Sequence, residues 1–213
     1  MTPPIPPYTS RRVEKADFIW MNGELVAWDD AKVHVLTHTL HYGLGAFEGV
    51  RCYKCSDGRS AVFRLDDHMK RLWQSLHILG IDAPYTVDEM AAACLETIRA
   101  NKLEQCYIRP IVFVGDGEMG LAAVDNPINM SVAVWPWGSY LGEDGITNGI
   151  KVKTSSFQRF AVNSQMTKAK AVGHYVNSIL ASLESRRAGY DEALMLDTDG
   201  YAAEGCGENL FIV

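Results

Sequence analysis

The sequence predicts an α+β protein of two domains, with an N-terminal domain over residues 15–140 and a second domain over residues 150–213. Three observations support this prediction. Short apolar segments typical of strands alternate with two helical patterns in the first half of the chain. Residues 141–149 contain three glycines and are predicted to form a linker. A strand, a helix and a glycine-rich turn follow the linker.

The elements of the first domain are predicted from turn residues and periodicity. Asn22-Gly23 favours the tight turn that joins two strands, so residues 17–28 are predicted to form a hairpin. A helical period is carried by Met69, Leu72, Leu76 and Leu79. Thr86-Val-Asp-Glu89 is a capping box that begins a second helix. Further strands are predicted at residues 31–36, 47–53, 61–63, 107–115 and 130–135.

The second domain is predicted to contain strands at 150–154, 192–196 and 209–213 and one helix at 175–188. Apolar residues at helical spacing, Val176, Ile179, Leu180 and Leu183, predict the buried side of that helix. The sequence ends within the apolar segment 209–213, and a strand there would expose unpaired backbone groups. The second domain is therefore expected to be incomplete.

Composition restricts the classes of function. The chain has 213 residues and a net charge of −6, which argues against nucleic acid and anionic membrane surfaces as partners. It has no apolar run long enough to span a bilayer. Residues 1–14 contain four prolines and are predicted to form a flexible arm without the features of a secretory leader. Five cysteines without framework spacing fit reduced thiols, so a cytoplasmic location is expected.

Two motifs carry the chemistry. The first is Lys170-Ala-Val-Gly-His-Tyr175, and the second is Glu204-Gly-Cys-Gly-Glu-Asn209. A lysine that can form a Schiff base and a carboxylate that can face a pyridinium nitrogen are what pyridoxal 5′-phosphate (PLP) requires. Lys168 is a second candidate for the reactive amine, and the residues alone leave that choice open.

Together with Tyr107-Ile-Arg109-Pro110 and Phe63-Arg64-Leu-Asp-Asp-His68, these motifs resemble the branched-chain amino acid aminotransferases of PLP fold type IV, which have the D-amino acid aminotransferase-like fold. The resemblance extends from Asp17 to Val213. It implies transamination between leucine, isoleucine or valine and 2-oxoglutarate, with amino acids and 2-oxo acids as the small-molecule partners. It also implies a homodimer or a higher homo-oligomer.

The resemblance assigns roles toward the cofactor. Lys170 would form the Schiff base and then carry a proton between the substrate α-carbon and the cofactor C4′. Tyr175 would bond the ring hydroxyl, and Glu204 would pair with the pyridine nitrogen. Arg64 would bind the phosphate, for which a guanidinium is well suited.

The resemblance also assigns the substrate site. Tyr107 and Arg109 are two apart on a predicted strand and so share a face. Arg109 would bind the distal carboxylate of 2-oxoglutarate. The apolar wall would consist of Phe47, Tyr42, Gly49, Trp137 and Tyr140. Met119 and Leu121 resemble a loop that a partner subunit lends to the site.

Other interpretations stay open at this point. Family members continue well beyond this length, so a truncated, non-catalytic remnant is one alternative. A D-amino acid transaminase and an aminodeoxychorismate lyase share the fold and the lysine. Metal binding is not predicted, because a strand would put Cys52 and Cys55 on opposite faces. His38 and His41 lack an evident third ligand.

Overall fold

The computed structural model describes residues 13–122, 125–137 and 142–213. These residues form two compact units. The first comprises Val13–Trp137 together with Lys168–Gly173, and the second comprises the described part of 138–167 together with His174–Val213. The predicted arm lies almost entirely outside the described residues. None of the described helices has the length and apolar composition that crossing a bilayer requires.

The first unit is built on a seven-stranded antiparallel sheet. Its strands are β1 (Phe18–Met21), β2 (Glu24–Ala27), β3 (Gly45–Phe47), β4 (Val50–Lys54), β5 (Ser60–Val62), β6 (Cys106–Val114) and β7 (Ile128–Trp135). The order is β2-β1-β7-β6-β4-β5, and β3 also pairs with β6. The described residues of this unit also form the helices α1 (His38–Tyr42), α2 (Leu65–Leu79) and α3 (Val87–Ala100).

The predicted hairpin is confirmed. Asn22 and Gly23 both have positive φ, 51° and 100°, as the tight turn between β1 and β2 requires. The prediction of a strand at residues 31–36 is wrong. The Thr37 amide donates to the His34 carbonyl at 2.9 Å, which closes a turn in place of a ladder. Val33 and Val35 are consequently exposed.

Both helices predicted in the first domain are confirmed. Helix α2 buries Met69, Leu72 and Leu76 and ends at Gly80, whose φ is 68°. The Thr86 side chain accepts from the Glu89 amide at 3.2 Å, and the Glu89 carboxylate accepts from the Thr86 amide at 2.7 Å. The apolar faces of α2 and α3 form one core with the buried residues of β4, β6 and β7.

The second unit has a three-stranded sheet. The strands are β8 (Val152–Thr154), β9 (Glu192–Leu196) and β10 (Ala202–Glu204), and the helices are α4 (Gly142–Asn148) and α5 (Tyr175–Arg187). Strands β8 and β9 are parallel, whereas β9 and β10 are antiparallel. Helix α4 occupies most of the predicted linker.

Two predictions for the second domain are wrong. The side of α5 predicted to be buried is exposed, with Val176 at 61% and Ile179 at 55%, whereas Ala181 and Ser185 are fully buried. Small side chains let α5 approach β9 closely, so the bulky residues lie on the other side. Residues 209–213 form no strand, because β10 already occupies that edge of β9 and no other described strand pairs with them.

A carboxylate joins α5 to β8. Glu184 accepts from Lys153 Nζ at 2.7 Å, from the Ser155 hydroxyl at 2.5 Å and from the Ser156 amide at 2.9 Å. The hydrogen bond from Lys153, followed by those from the two serines, lowers the pKa of Glu184 to about 2. The ionised form is therefore favoured by folding.

We expect Glu184→Gln to weaken the acid sensitivity of the protein. A carboxylate with a lowered folded pKa stabilises above its unfolded pKa, and this contribution is lost as the pH falls toward about 2. The free energy of unfolding, measured by urea titration between pH 6 and pH 3, should fall less steeply in the variant. Glu96→Gln, at an exposed position of α3, is the control. Identical slopes in Glu184→Gln and the unmodified protein would contradict the assignment.

Candidate active site

A break between two strands organises the candidate site of the first unit. The single strand predicted over 47–53 is observed as β3 and β4, which are separated at Glu48-Gly49 and both pair with β6. The Glu48 amide donates to the Pro110 carbonyl at 2.9 Å. The interruption turns Glu48, which is 0% exposed, into the interior of the unit.

One face of β6 carries the two residues predicted to bind substrate. Tyr107 and Arg109 are half-buried and alternate with the buried Ile108 and Pro110. The Tyr107 ring lies 5.2 Å from the Trp135 ring and 4.5 Å from the Trp137 ring, centroid to centroid. The three rings form an aromatic surface beside Arg109.

Arg109 is placed among rings rather than among carboxylates. Its Cζ lies 4.5 Å from the centroid of Phe47 and 5.4 Å from that of Tyr107. Its Nε is buried and has no hydrogen-bond partner among the described residues. A terminal nitrogen makes one long contact of 3.5 Å with the Tyr107 hydroxyl. Because a buried donor without an acceptor is unfavourable, this arrangement suits an anionic ligand.

Gly49 allows Tyr107 to take its position. A Cβ at residue 49 would lie 1.9 Å from the Tyr107 hydroxyl oxygen. A side chain there would displace the Tyr107 ring from Trp137. Gly49 therefore belongs to the same surface, although it offers no functional group.

The segment that carries Lys170 is fixed against β3 and α2. The Lys170 carbonyl accepts a hydrogen bond from the Phe47 amide at 3.2 Å, and the Lys170 amide donates to the Ser75 hydroxyl at 3.0 Å. The flanking Ala169 and Ala171 are buried. The half-buried side chain places Nζ 5.4 Å from the Phe47 ring centroid. Lys170 and Arg109 thus both approach the ring of Phe47.

The buried Glu48 is held by two residues of α2. Arg71 donates to both carboxylate oxygens at 2.5 Å and 2.7 Å, and His68 Nδ1 lies 2.9 Å from Oε2. Burial alone would raise the pKa of Glu48, but hydrogen bonds from His68 and Arg71 outweigh burial and lower it. Glu48 and Arg71 are functional candidates that sequence reasoning missed. The available signal was an acidic residue in an apolar segment, with histidine and arginine three apart on a helix.

We expect Arg71→Ala to lower the free energy of unfolding by about 2 kcal/mol, because the buried carboxylate of Glu48 would lose a two-point partner and keep only His68 and a long hydrogen bond of 3.3 Å from the Gly49 amide. Urea unfolding at pH 7 measures the change. Arg99→Ala, at an exposed position of α3, is the matched control and should change stability by less than about 0.5 kcal/mol. Equal midpoints for the two variants would refute this role of Arg71.

Other predicted site residues of the first unit lie at its surface. Arg64 precedes α2 with a positive φ of 52°, and its Nε pairs with Asp67 Oδ2 at 2.6 Å.

Tyr42 is exposed, and its ring lies 4.5 Å from that of His38. His38 Nε2 contacts the Gly120 carbonyl at 2.9 Å, between the exposed Met119 and Leu121. Tyr140 lies outside the described residues.

The described residues contain no group of three or more histidine, cysteine, aspartate or glutamate side chains placed to hold a metal ion. Within that part of the chain, His41 Nε2 contacts the Val35 carbonyl at 2.9 Å. Cys52 lies inside β4, whereas Cys55 follows the end of that strand, and both are free thiols.

In the second unit, Arg159 links strand β10 to helix α5. The predicted cofactor residue Glu204 lies at the end of β10, and the predicted cofactor residue Tyr175 begins α5. The Arg159 Nε pairs with Glu204 Oε1, at the end of β10, at 2.6 Å. A terminal nitrogen donates to Asn177 at 2.9 Å and to Ser178 at 3.2 Å, in the first turn of α5. Tyr175 is the first residue of that helix. No pattern in the sequence pointed to Arg159, because its partners are distant along the chain.

A second buried carboxylate supports the turn after Glu204. Glu192 accepts from the Ala193 amide at 2.7 Å and from the Cys206 amide at 3.4 Å. Burial, with the nearby Glu192, raises the pKa of the Cys206 thiol to about 12, so this cysteine is protonated at neutral pH. The Gly205 amide closes the turn on the Glu208 carbonyl at 2.9 Å.

Comparison with known families identifies this arrangement. Residues 45–213 match the family model described as amino-transferase class IV. The chain belongs to the class IV aminotransferase family. A relative from Pseudomonas aeruginosa, named branched-chain-amino-acid aminotransferase, is 53% identical over 92% of this chain. The Escherichia coli K12 protein of the same name is 48% identical over 94% of it.

Solved structures place the fold in the same group. The branched-chain amino acid aminotransferase of Escherichia coli matches with a TM-score of 0.88 and 46% identity, over 91% of this chain and 64% of that one. The enzyme of Thermobaculum terrenum in its PLP form matches with a TM-score of 0.80 and 33% identity, over 90% of this chain and 62% of that one. The α+β, fold type IV prediction is thereby confirmed.

This class IV aminotransferase chain spans 63% of the length of the Pseudomonas aeruginosa relative and 65% of that of the Escherichia coli relative. Within the first unit, six of the predicted site residues meet around one aromatic surface: Phe47, Gly49, Tyr107, Arg109, Trp137 and Lys170.

Proposed function

We propose that the protein transfers an amino group between a branched-chain L-amino acid (leucine, isoleucine or valine) and 2-oxoglutarate, with PLP as cofactor. The observation that carries this proposal is the Phe47 ring, which has the Lys170 amine 5.4 Å and the Arg109 guanidinium 4.5 Å from its centroid. An amine that can bond the cofactor and a cation that can bind a carboxylate therefore lie at one apolar surface. The names of relatives at 48% and 53% identity support the choice of substrates.

The residues of the chain fit PLP chemically. Arg64 pairs through Nε with Asp67, and its side chain is 64% exposed, which leaves the guanidinium accessible to a phosphate. Glu204 pairs through Oε1 with Arg159, and its side chain is 40% exposed, which leaves the carboxylate accessible to a protonated ring nitrogen. Lys170 and Tyr175 complete the set of residues that would hold the cofactor. Bound PLP would accept the electron pair released when the substrate Cα–H bond breaks.

Arg109 and its surroundings account for two dissimilar substrates at one surface. The rings of Phe47 and Tyr107 offer apolar contact to a branched aliphatic side chain. Arg109 lies over these rings with unused donors, which a distal carboxylate of glutamate or 2-oxoglutarate would satisfy. Of the other predicted wall residues, Gly49 and Trp137 lie beside Tyr107 and would shape this surface, whereas Tyr42 is exposed beside His38.

Lys170 would act as both the attachment point and the proton carrier. Its backbone is fixed on both sides, whereas its side chain is a flexible aliphatic stem, so Nζ can move while the main chain stays in place. Nζ would take the proton from the substrate α-carbon and deliver it to the cofactor C4′. Lys168, in contrast, is exposed.

We further propose that two copies of the chain associate. Exposed apolar side chains cluster in sequence around α1, where Val35 is 72% and Leu40 is 64% exposed. The Gly120 loop, fixed by His38, presents Leu121 at 92% exposure. A second copy would cover such apolar residues and would receive Met119 and Leu121 at its site. Sedimentation analysis over a range of concentrations tests this association.

A substrate panel tests the proposed reaction. The purified protein is incubated with PLP, and the absorbance of the cofactor is followed after addition of L-leucine, D-alanine or aminodeoxychorismate. We expect conversion with L-leucine, release of 4-methyl-2-oxopentanoate, and recovery of the starting spectrum with 2-oxoglutarate. Conversion with D-alanine alone would indicate a D-amino acid transaminase, and pyruvate release from aminodeoxychorismate would indicate a lyase. A protein that takes up no PLP would overturn the proposal.

A further inference from the structure

Three polar residues lie along one side of α2. His68, Arg71 and Ser75 are spaced by three and four residues, which places them on a common helical face. Two of them, His68 and Arg71, hold the carboxylate of Glu48, the neighbour of Phe47. The third, Ser75, holds the amide of Lys170. One helix face therefore contacts both Glu48, which follows Phe47 in the chain, and the lysine segment.

The Ser75 hydroxyl both donates and accepts a hydrogen bond. The hydroxyl proton is donated to the Arg71 carbonyl at 3.0 Å, and the oxygen accepts the Lys170 amide at 3.0 Å. Ser75 is 0% exposed. In this environment an alanine would fill nearly the same space but would leave the Lys170 amide without an acceptor.

The two peptide groups that flank the Lys170 side chain are thus fixed by different elements. The amide is fixed by Ser75 of α2, and the carbonyl is fixed by the Phe47 amide of β3. Ala169 and Ala171, both buried, leave the segment little space to shift. With the main chain fixed at both ends, only the side-chain torsions decide where Nζ lies.

We propose that Ser75 is a positioning residue for Lys170: its hydroxyl fixes the main chain from which the reactive amine projects, on the helix face that also holds the carboxylate of Glu48. This inference rests on the proposed function for the meaning of Lys170. The contact itself is independent of the cofactor. The Ser75 hydroxyl contacts the Arg71 carbonyl and the Lys170 amide, so Ser75 would act on the substrate only through Lys170.

The test compares Ser75→Ala with Thr97→Val. Thr97 is the matched control, because it is fully buried on α3 and its hydroxyl donates to the carbonyl four residues earlier at 2.6 Å, as that of Ser75 does. Amide hydrogen exchange of the apoprotein is the first readout. We expect exchange at Lys170 to accelerate about tenfold or more in Ser75→Ala and to stay unchanged in Thr97→Val. Unchanged exchange at Lys170 in Ser75→Ala would overturn the proposal, whether or not PLP binds.

The second readout is the site of covalent trapping. Protein incubated with PLP is reduced with borohydride and mapped by mass spectrometry, and the ratio of label at Lys170 to label at Lys168 is determined in the folded fraction. We expect the ratio to fall about tenfold in Ser75→Ala and to stay at the unmodified value in Thr97→Val. Equal ratios in all three proteins would show that Ser75 is only a packing residue. No label on the unmodified protein would instead defeat the proposed function, and hydrogen exchange would still decide the contact.

A further variant covers the case in which Ser75→Ala does not fold. Ser75→Cys retains the shape of the side chain but offers a weaker acceptor. It should give values between those of the unmodified protein and those expected for alanine, in both readouts. Values equal to those of the unmodified protein would overturn the proposal.

Discussion

Replacing Lys170 with alanine should abolish transamination and covalent attachment of the cofactor while leaving the fold intact. The Lys170 amine is the group that would move the substrate proton, and proton transfer by a positioned side chain contributes about 10²- to 10⁴-fold to a rate. Loss of attachment adds to this reduction. The backbone bonds to Phe47 and Ser75 use only main-chain atoms of residue 170, so alanine retains them.

Borohydride trapping and a leucine transamination assay measure these effects. Lys168→Ala is the matched control, because it removes a neighbouring exposed amine and should keep both the label and the rate. Circular dichroism of Lys170→Ala should match that of the unmodified protein. Label retained in Lys170→Ala and lost in Lys168→Ala would transfer the catalytic role to Lys168.

Features that depend on neighbouring residues could be predicted from the sequence. The Asn22-Gly23 turn and the Thr86 capping box follow from short-range backbone and side-chain preferences, and both are observed. The shared face of Tyr107 and Arg109 follows from the two-residue period of a strand. These arguments require no knowledge of distant partners.

Features that depend on tertiary contacts could not be predicted. The apolar residues of α5 suggested a buried face, but the close approach to β9 requires the small residues Ala181 and Ser185. The period of a helix shows which residues share a face, and only the neighbouring element decides which face it covers.

The ion pairs that support the site escaped prediction for a related reason. Glu48 and Arg71 are separated by 23 residues, and the chain between Arg159 and Glu204 includes helix α5 and strand β9. Each pair joins elements whose relative position emerges only in the folded chain. The resemblance to a family predicts residues toward the cofactor and substrate, whereas the residues that hold them became visible only as charged side chains with several partners.

Replacing Arg109 with methionine should impair the half-reaction with 2-oxoglutarate far more than the half-reaction with L-leucine. Methionine retains an apolar stem for contact with Phe47 but removes the donors for a distal carboxylate. Loss of one partner of a buried, hydrogen-bonded charge pair costs about 2–5 kcal/mol, so the KM for 2-oxoglutarate should rise by about 30-fold or more. The half-reaction with L-leucine, followed by cofactor absorbance, should change by less than about threefold, because leucine has no second carboxylate and loses no charge pair.

The same substitution, Arg109→Met, should not lower the stability of the fold. Arg109 Nε is buried without a hydrogen-bond partner among the described residues, and this unsatisfied donor opposes folding until an anion binds. Arg109→Met should therefore unfold at the same urea concentration as the unmodified protein or at a higher one, as expected where a binding site is maintained at the expense of stability. Arg109→Lys is the matched control: it keeps the charge but loses the planar fork, so its KM for 2-oxoglutarate should lie between the other two. Two results together would mean that Arg109 supports the fold and does not bind the substrate. One is an equal fall in the rates of the leucine and 2-oxoglutarate half-reactions of Arg109→Met, and the other is a lower urea midpoint of unfolding for that variant.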